Sequence, residues 1–218
     1  MRVSSIYLVN NTKMSENNKT KGRPRKFDKE NALKTALHLF WRHGFEGVSI
    51  ANLAKAMGIN VPSLYAAFGN KEQLFFQSVE LYGKTNANIY APALALDTAY
   101  EVAQAILLGE VDLVTNPEAP DGCLMVQGAL VTSPESQQLS DMMSKLRMTA
   151  EGWMADRFEK AKSDGDLPKN ADAKALACFI MTVNSGIAVQ AKTGVRRDEL
   201  LKIVDYSLLA FRKIAMLD

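Results

Sequence analysis

Asn60-Val-Pro-Ser-Leu-Tyr-Ala66 carries small and polar side chains of the kinds that meet a nucleic-acid groove. Val61 and Pro62 are rigid and apolar, suited to a thymine methyl; Ser63 can bond a base edge or a phosphate, and the Tyr65 hydroxyl can reach a phosphate. Lys71 offers an ammonium where exposed N–H groups of a helix start would add to it, a second phosphate-binding chemistry. Other chemistries lack their residues. His38 and His43 are five apart, so they do not share a helical face as a metal pair would. No Ser/His/Asp set, glycine-rich phosphate loop or paired carboxylates is present, so catalytic residues, metal ligands and cofactors are not expected.

Two short helices must hold those side chains. Ser49 is a helix N-cap, followed by Ile50, Leu53, Ala54 and Met57 at the spacing of one apolar face. Gly58 supplies the left-handed residue that ends this helix. Asn60 caps the next, with Val61 and Pro62 in its first turn, where a missing N–H costs nothing. Leu64 and Phe68, at i and i+4, face the first helix and leave Val61, Ser63, Tyr65 and Ala66 largely outward. Gly69 ends the second helix, and Asn70-Lys-Glu-Gln73 is a capping box for a third. Such a unit lays its second helix in a major groove, although an ordinary glycine-broken pair of packed helices has the same pattern taken alone.

Upstream lie Gly22-Arg-Pro-Arg25 and a helix from Asp28 to Arg42, with Leu33, Ala36, Leu37 and Phe40 as its stripe and Gly44 as its end. The whole pattern, Ala36, Leu39-Phe40, Gly44-Phe45, Ser49-Ile50, Leu53-Ala54, Met57-Gly58-Ile59, Ser63-Leu64-Tyr65, Phe68, Lys71-Glu72 and Leu74, resembles the N-terminal DNA-binding domain of TetR-family transcriptional regulators over roughly residues 22–85. The resemblance implies an all-α fold: an N-terminal three-helix DNA-binding domain with a helix-turn-helix, and a larger C-terminal helical domain for ligand binding and dimerisation. It implies DNA-facing roles for Ser49, for Asn60, Val61, Pro62, Ser63, Tyr65 and Ala66, and for Lys71, with Leu53, Ala54, Leu64 and Phe68 as core. Arg23 and Arg25 become minor-groove candidates, since narrow A·T tracts attract arginine. The implied protein is a homodimeric repressor that binds a palindromic double-stranded DNA operator and is released by a small-molecule effector. An architectural DNA binder without ligand, or a helical enzyme with an unfamiliar site, is the alternative.

Charge is unevenly spread. Residues 1–84 carry a net +7 and residues 85–218 a net −5, a basic head on an acidic body. Seven of the basic residues precede Phe27, however, so the folded head is nearly neutral. The expected organisation is a disordered basic tail over 1–21, a helix-turn-helix domain over 22–72 extending to about 85 in a linking helix, and a sensing and dimerisation domain over 73–218. Met14 is a plausible alternative start. No apolar run reads as a membrane span and no signal peptide is recognisable, so a cytoplasmic protein with no membrane partner is expected.

The body reads as helices near 97–109, 134–164, 171–192 and 197–216, with a short one from Leu124 to Val131 after a loop carrying Pro117, Pro120 and Gly122. Its apolar stripes place Phe179, Val183 and Ile187 on one dimer-forming helix and Leu201, Val204 and Leu208 on another. A ligand pocket would draw on Tyr82, Tyr90, Tyr100, Met125, Gln127, Met143, Trp153, Phe158, Met181 and Asn184, each of which could equally be plain core. Cys123 reads either as a small buried hydrophobe or as a loop thiol open to oxidants or electrophiles, with Asp121 nearby to raise its pKa; Cys178 reads as buried.

Overall fold

The computed structural model describes residues 28–85, 88–130 and 136–215. The tail over 1–21, Met14, Arg23 and Arg25 lie outside the described residues. Among those described, the regular structure is helical: α1 (Lys29–His43), α2 (Ile50–Met57), α3 (Val61–Phe68), α4 (Lys71–Thr85), α5 (Tyr90–Leu94), α6 (Ala99–Val114), α7 (Leu124–Leu130), α8 (Gln137–Asp164), α9 (Ala173–Lys192) and α10 (Arg197–Ile214).

The first four helices form the head. Asp28 starts α1 by accepting from the N–H groups of Glu30 and Asn31, both at 3.1 Å. Its apolar face packs on α2 and α4. The centre of the head is aromatic: Phe40 and Phe45 each set an edge against Phe75, with ring centroids 5.0 and 5.4 Å away. Leu53, Leu64, Phe68 and Leu74 close this core from the other helices.

The body packs α6, α8, α9 and α10 together, with α7 resting on α8 and reaching α1 and α4. Thr98 and Glu101 form a reciprocal capping box that starts α6. That helix runs to Val114, beyond the expected end near 109, because Ile106, Leu107, Glu110, Val111 and Val114 keep one continuous face buried. Gly109 sits inside it for a packing reason: an added Cβ would stand 3.0 Å from Ile89. The five-residue α5 had no periodic signal to announce it.

Helix α9 corrects the membrane expectation in one respect, being long and apolar enough to span a bilayer. Its contacts with α6, α8 and α10 explain that apolarity. The proposed dimer stripes also need correction. Ile187, Val204 and Leu208 are buried within the protomer's own core, whereas Phe179, Val183 and Leu201 are half-buried at its edge. The open faces lie beside them: Cys178, Thr182, Gly186 and Val189 on α9, and Tyr206 and Leu209 on α10, which are 70% and 65% exposed. Cys178 is therefore exposed in the protomer and not buried.

Head and body meet at Trp41. The indole is fully buried, its Nε1–H donates to the Gly122 carbonyl at 2.7 Å, and its ring lies 4.7 Å edge-on from Tyr82. Ser136 donates to Glu46 at 2.7 Å and Lys192 to the Arg42 carbonyl at 3.3 Å, adding two ties across the same joint. Trp41→Phe keeps an aromatic ring but strands a buried carbonyl, so stability in urea should fall by about 1–3 kcal/mol. An unchanged unfolding midpoint would mean that this hydrogen bond contributes nothing to the joint.

Candidate functional site

The exposed edge of α3 is set by its caps and anchors. Ser49 Oγ accepts from Asn52 N–H at 3.1 Å, and Gly58 turns the chain through φ 68°, ψ 31° with its N–H returned to the Ala54 and Lys55 carbonyls. Asn60 Oδ1 accepts from Ser63 N–H at 2.8 Å and starts α3. With Leu64 and Phe68 buried on the inner side, Asn60, Pro62, Ser63, Tyr65 and Ala66 are exposed and Val61 is half-exposed. Tyr65 is 48% exposed, a large ring left in solvent by a helix with core available to bury it.

The start of α4 stands beside this edge. Asn70 and Gln73 cap one another reciprocally, at 3.0 and 2.8 Å. Lys71 is half-buried, its ammonium 4.2 Å from the Phe45 ring centroid; burial lowers its pKa and Glu46 partly restores it. Lys29 lies similarly over Phe68, at 5.3 Å. The sequence showed the charge of Lys71 but not its aromatic seat, because Phe45 is brought to it only by the turn after α1.

The body holds a second polar site. Tyr82 of α4 donates to Cys123 Sγ at 3.2 Å, and Tyr90 of α5 to Met181 Sδ at 3.5 Å. Glu110 of α6 and Asn184 of α9 stand with them, 2% and 4% exposed. Burial pushes the Glu110 carboxyl up to about 7, with hydrogen bonding to Asn184 and Cys123 drawing it back. Burial likewise pushes the Cys123 thiol up to about 12, and the Glu110 charge adds to it; both tyrosines are raised for the same main reason. Cys123 is thus a buried, protonated thiol, and the acidic neighbour that matters is Glu110 and not Asp121.

Of the pocket candidates, Tyr82, Tyr90, Met181 and Asn184 come together here. Gln127 donates to the Asp121 carbonyl at 3.1 Å and lines, with Cys123 and Val126, a cleft of about 420 Å³ between the turn after α1 and the α7 and α9 helices. Met125 is half-buried in the adjoining helix, and Met143 is core. Others are committed elsewhere. Phe158 packs against Phe211 at 5.6 Å, Tyr100 carries the Arg212 guanidinium at 4.2 Å, and Trp153 is half-exposed on α8. Glu110 was missed, although its signal is legible afterwards: a single carboxylate at an apolar position of the Ile106, Leu107, Val111, Val114 face.

Comparison with known proteins agrees with this arrangement. The family described as "Bacterial regulatory proteins, tetR family" matches residues 32–77. The transcriptional repressor BdcR of Escherichia coli K12 is 31% identical over 180 residues, covering 82% of this chain and 86% of BdcR. ComR, a transcriptional repressor of the same organism, is 29% identical over 195 residues, 87% of this chain and 91% of ComR. A solved cysteine mutant of the TetR family regulator CifR, in complex with a 26-bp double-strand operator DNA, is 40% identical with a TM-score of 0.82 and covers 86% of this chain and 99% of its own. This chain belongs to the TetR family of bacterial transcriptional regulators.

Proposed function

We propose that the protein is a homodimeric repressor whose α3 helices enter successive major grooves of a palindromic operator, and whose release is controlled by a small molecule bound in the body. The observation that carries the reading is the outward edge of α3, where Ser63 and Tyr65 face solvent while Leu64 and Phe68 hold the helix from behind. A relative of 40% identity was solved on operator DNA, which supports the same use of the head. Val61, Pro62, Ser63 and Tyr65 read the groove, with Asn60 and Ala66 at its walls. Ser49 and Lys71 contact phosphates, and Arg23 and Arg25 reach the minor groove.

The dimer forms through the open faces of α9 and α10. Tyr206 and Leu209, with Val189 and the edge residues Phe179 and Val183, give an apolar patch of the kind a two-fold interface covers. Two heads held by that axis at about 34 Å meet adjacent grooves of one duplex face. An effector in the body acts on the heads through Tyr82 and Trp41, which join the polar cluster to α1 and α4. A small rotation there moves both recognition helices out of register.

Three outcomes test this reading. Tyr65→Phe removes one hydroxyl from the exposed edge, so operator affinity in a gel-shift titration should fall while the dimer persists; equal affinity would remove Tyr65 from the interface. Lys71→Ala should flatten the dependence of log affinity on log salt by about 0.9 for the one phosphate lost. An unaltered slope would reassign Lys71 to bracing Phe45 alone. Leu209→Glu should convert the dimer to folded monomers in sedimentation, and a persistent dimer would move the interface off α10.

A further inference from the structure

The polar cluster of the body contains two acceptors with nothing to accept. Glu110 Oε1 and Asn184 Oδ1 are shielded from solvent and have no hydrogen-bond partner among the described residues. The hydroxyls beside them are already committed, Tyr82 to Cys123 and Tyr90 to Met181. Among the described ion pairs, none involves Glu110. A buried carboxylate ordinarily has a cation or a full set of donors. This one has neither.

Resting on the reading that the body senses a small molecule, we propose that the cluster is the effector site and takes a small organic cation, an ammonium or amidinium, whose N–H groups donate to Glu110 Oε1 and Asn184 Oδ1 while its carbon frame lies against Tyr82, Tyr90 and Met181. Both open atoms are acceptors, so an anion is excluded and a donor is required. The missing counter-charge selects a cation over a neutral donor. Aromatic rings and a thioether are soft, polarisable walls for such a group. The 420 Å³ cleft, which Cys123 lines from within, gives the way in. Arg42, His43 and Lys192 at its mouth are exposed, so solvent and salt screen them from an entering cation. Occupancy would press on Cys123 and Tyr82, the residues that lead to Trp41 and the head.

The sign of the pH dependence follows from the carboxyl. Glu110 titrates at about 7 in the folded chain, above its ordinary range, so the folded protein keeps a proton there that the unfolded chain has released. Stability from this group therefore declines as pH rises from the ordinary carboxylate range through about 7, as the unpaired charge appears. A cation reverses that: it binds the ionised form. Tyr82, Tyr90 and Cys123, the other titratable groups facing the site, are all raised and stay neutral over this range.

The test uses the full-length protein, benzylammonium and, as the uncharged counterpart, benzyl alcohol, followed by calorimetric titration and thermal melting from pH 5.5 to 8. Benzylammonium should bind and raise the melting temperature, its affinity climbing toward roughly tenfold per pH unit below about 7 and levelling above. Glu110→Gln should weaken it at least about tenfold and abolish the pH dependence, and Asn184→Leu should weaken it as well. Both variants should still melt cooperatively and bind duplex DNA. Equal binding of benzyl alcohol, undiminished binding by Glu110→Gln, or no binding of the ammonium up to about 10 mM would overturn the proposal. Failure of the wild-type protein to bind DNA would instead strike the regulator reading, leaving the two separable.

Discussion

An eight-residue helix has no stability of its own in water, and the function of the head depends on how α3 is held. Two buried side chains, Leu64 and Phe68, fix its inner edge to a core shared with α1, α2 and α4. Truncating either would cost on the order of 2–5 kcal/mol by the usual cavity and transfer losses, comparable to much of a small domain's net stability. Caps do the remaining work. Asn60 and Gly69 define where α3 begins and ends, so its outward residues are presented at one rotation and not over a range.

The same core continues into the body, which is why head and body can influence one another. Phe40 and Phe75 belong to the head, but their neighbours along α1 and α4, Trp41 and Tyr82, are fully buried against each other, with Gly122 and Cys123 as their polar partners. Close-packed interiors do not deform continuously, so a displaced Tyr82 must be accommodated by a shift of α1 or α4. Gly122 sharpens this constraint: it has φ 83°, and an added Cβ would meet Gln127 and Lys192. The joint is thus tight on the body's side as well as the head's.

Much of the head was legible because its determinants are local. Ser49, Asn60, Asn70 and Gln73 cap within three residues of themselves, and glycines stop helices where their φ requires it. The body was legible as helices but not as surfaces. Wide apolar stripes on α9 and α10 do not say which part faces home and which a partner, and Ile187, Val204 and Leu208 proved to be home. Cys178 misled for the same reason, lying on an open face of an apolar helix. Glu110 gained meaning only when α4, α5, α7 and α9 brought Tyr82, Tyr90, Cys123 and Asn184 to it, contacts spanning up to 91 residues along the chain. Tyr100 and Phe158 were drawn the other way, toward α10.

The central claim is that the outward edge of α3 determines which DNA sequence the protein prefers. Selection from random duplexes, run in parallel on the wild-type chain and on one with Val61, Ser63 and Tyr65 all replaced by alanine, tests it directly. The account predicts that the wild type enriches a two-fold symmetric site and that the altered chain, still dimeric, loses or changes that preference while keeping its salt-sensitive general affinity. Enrichment of the same site by both proteins would contradict it.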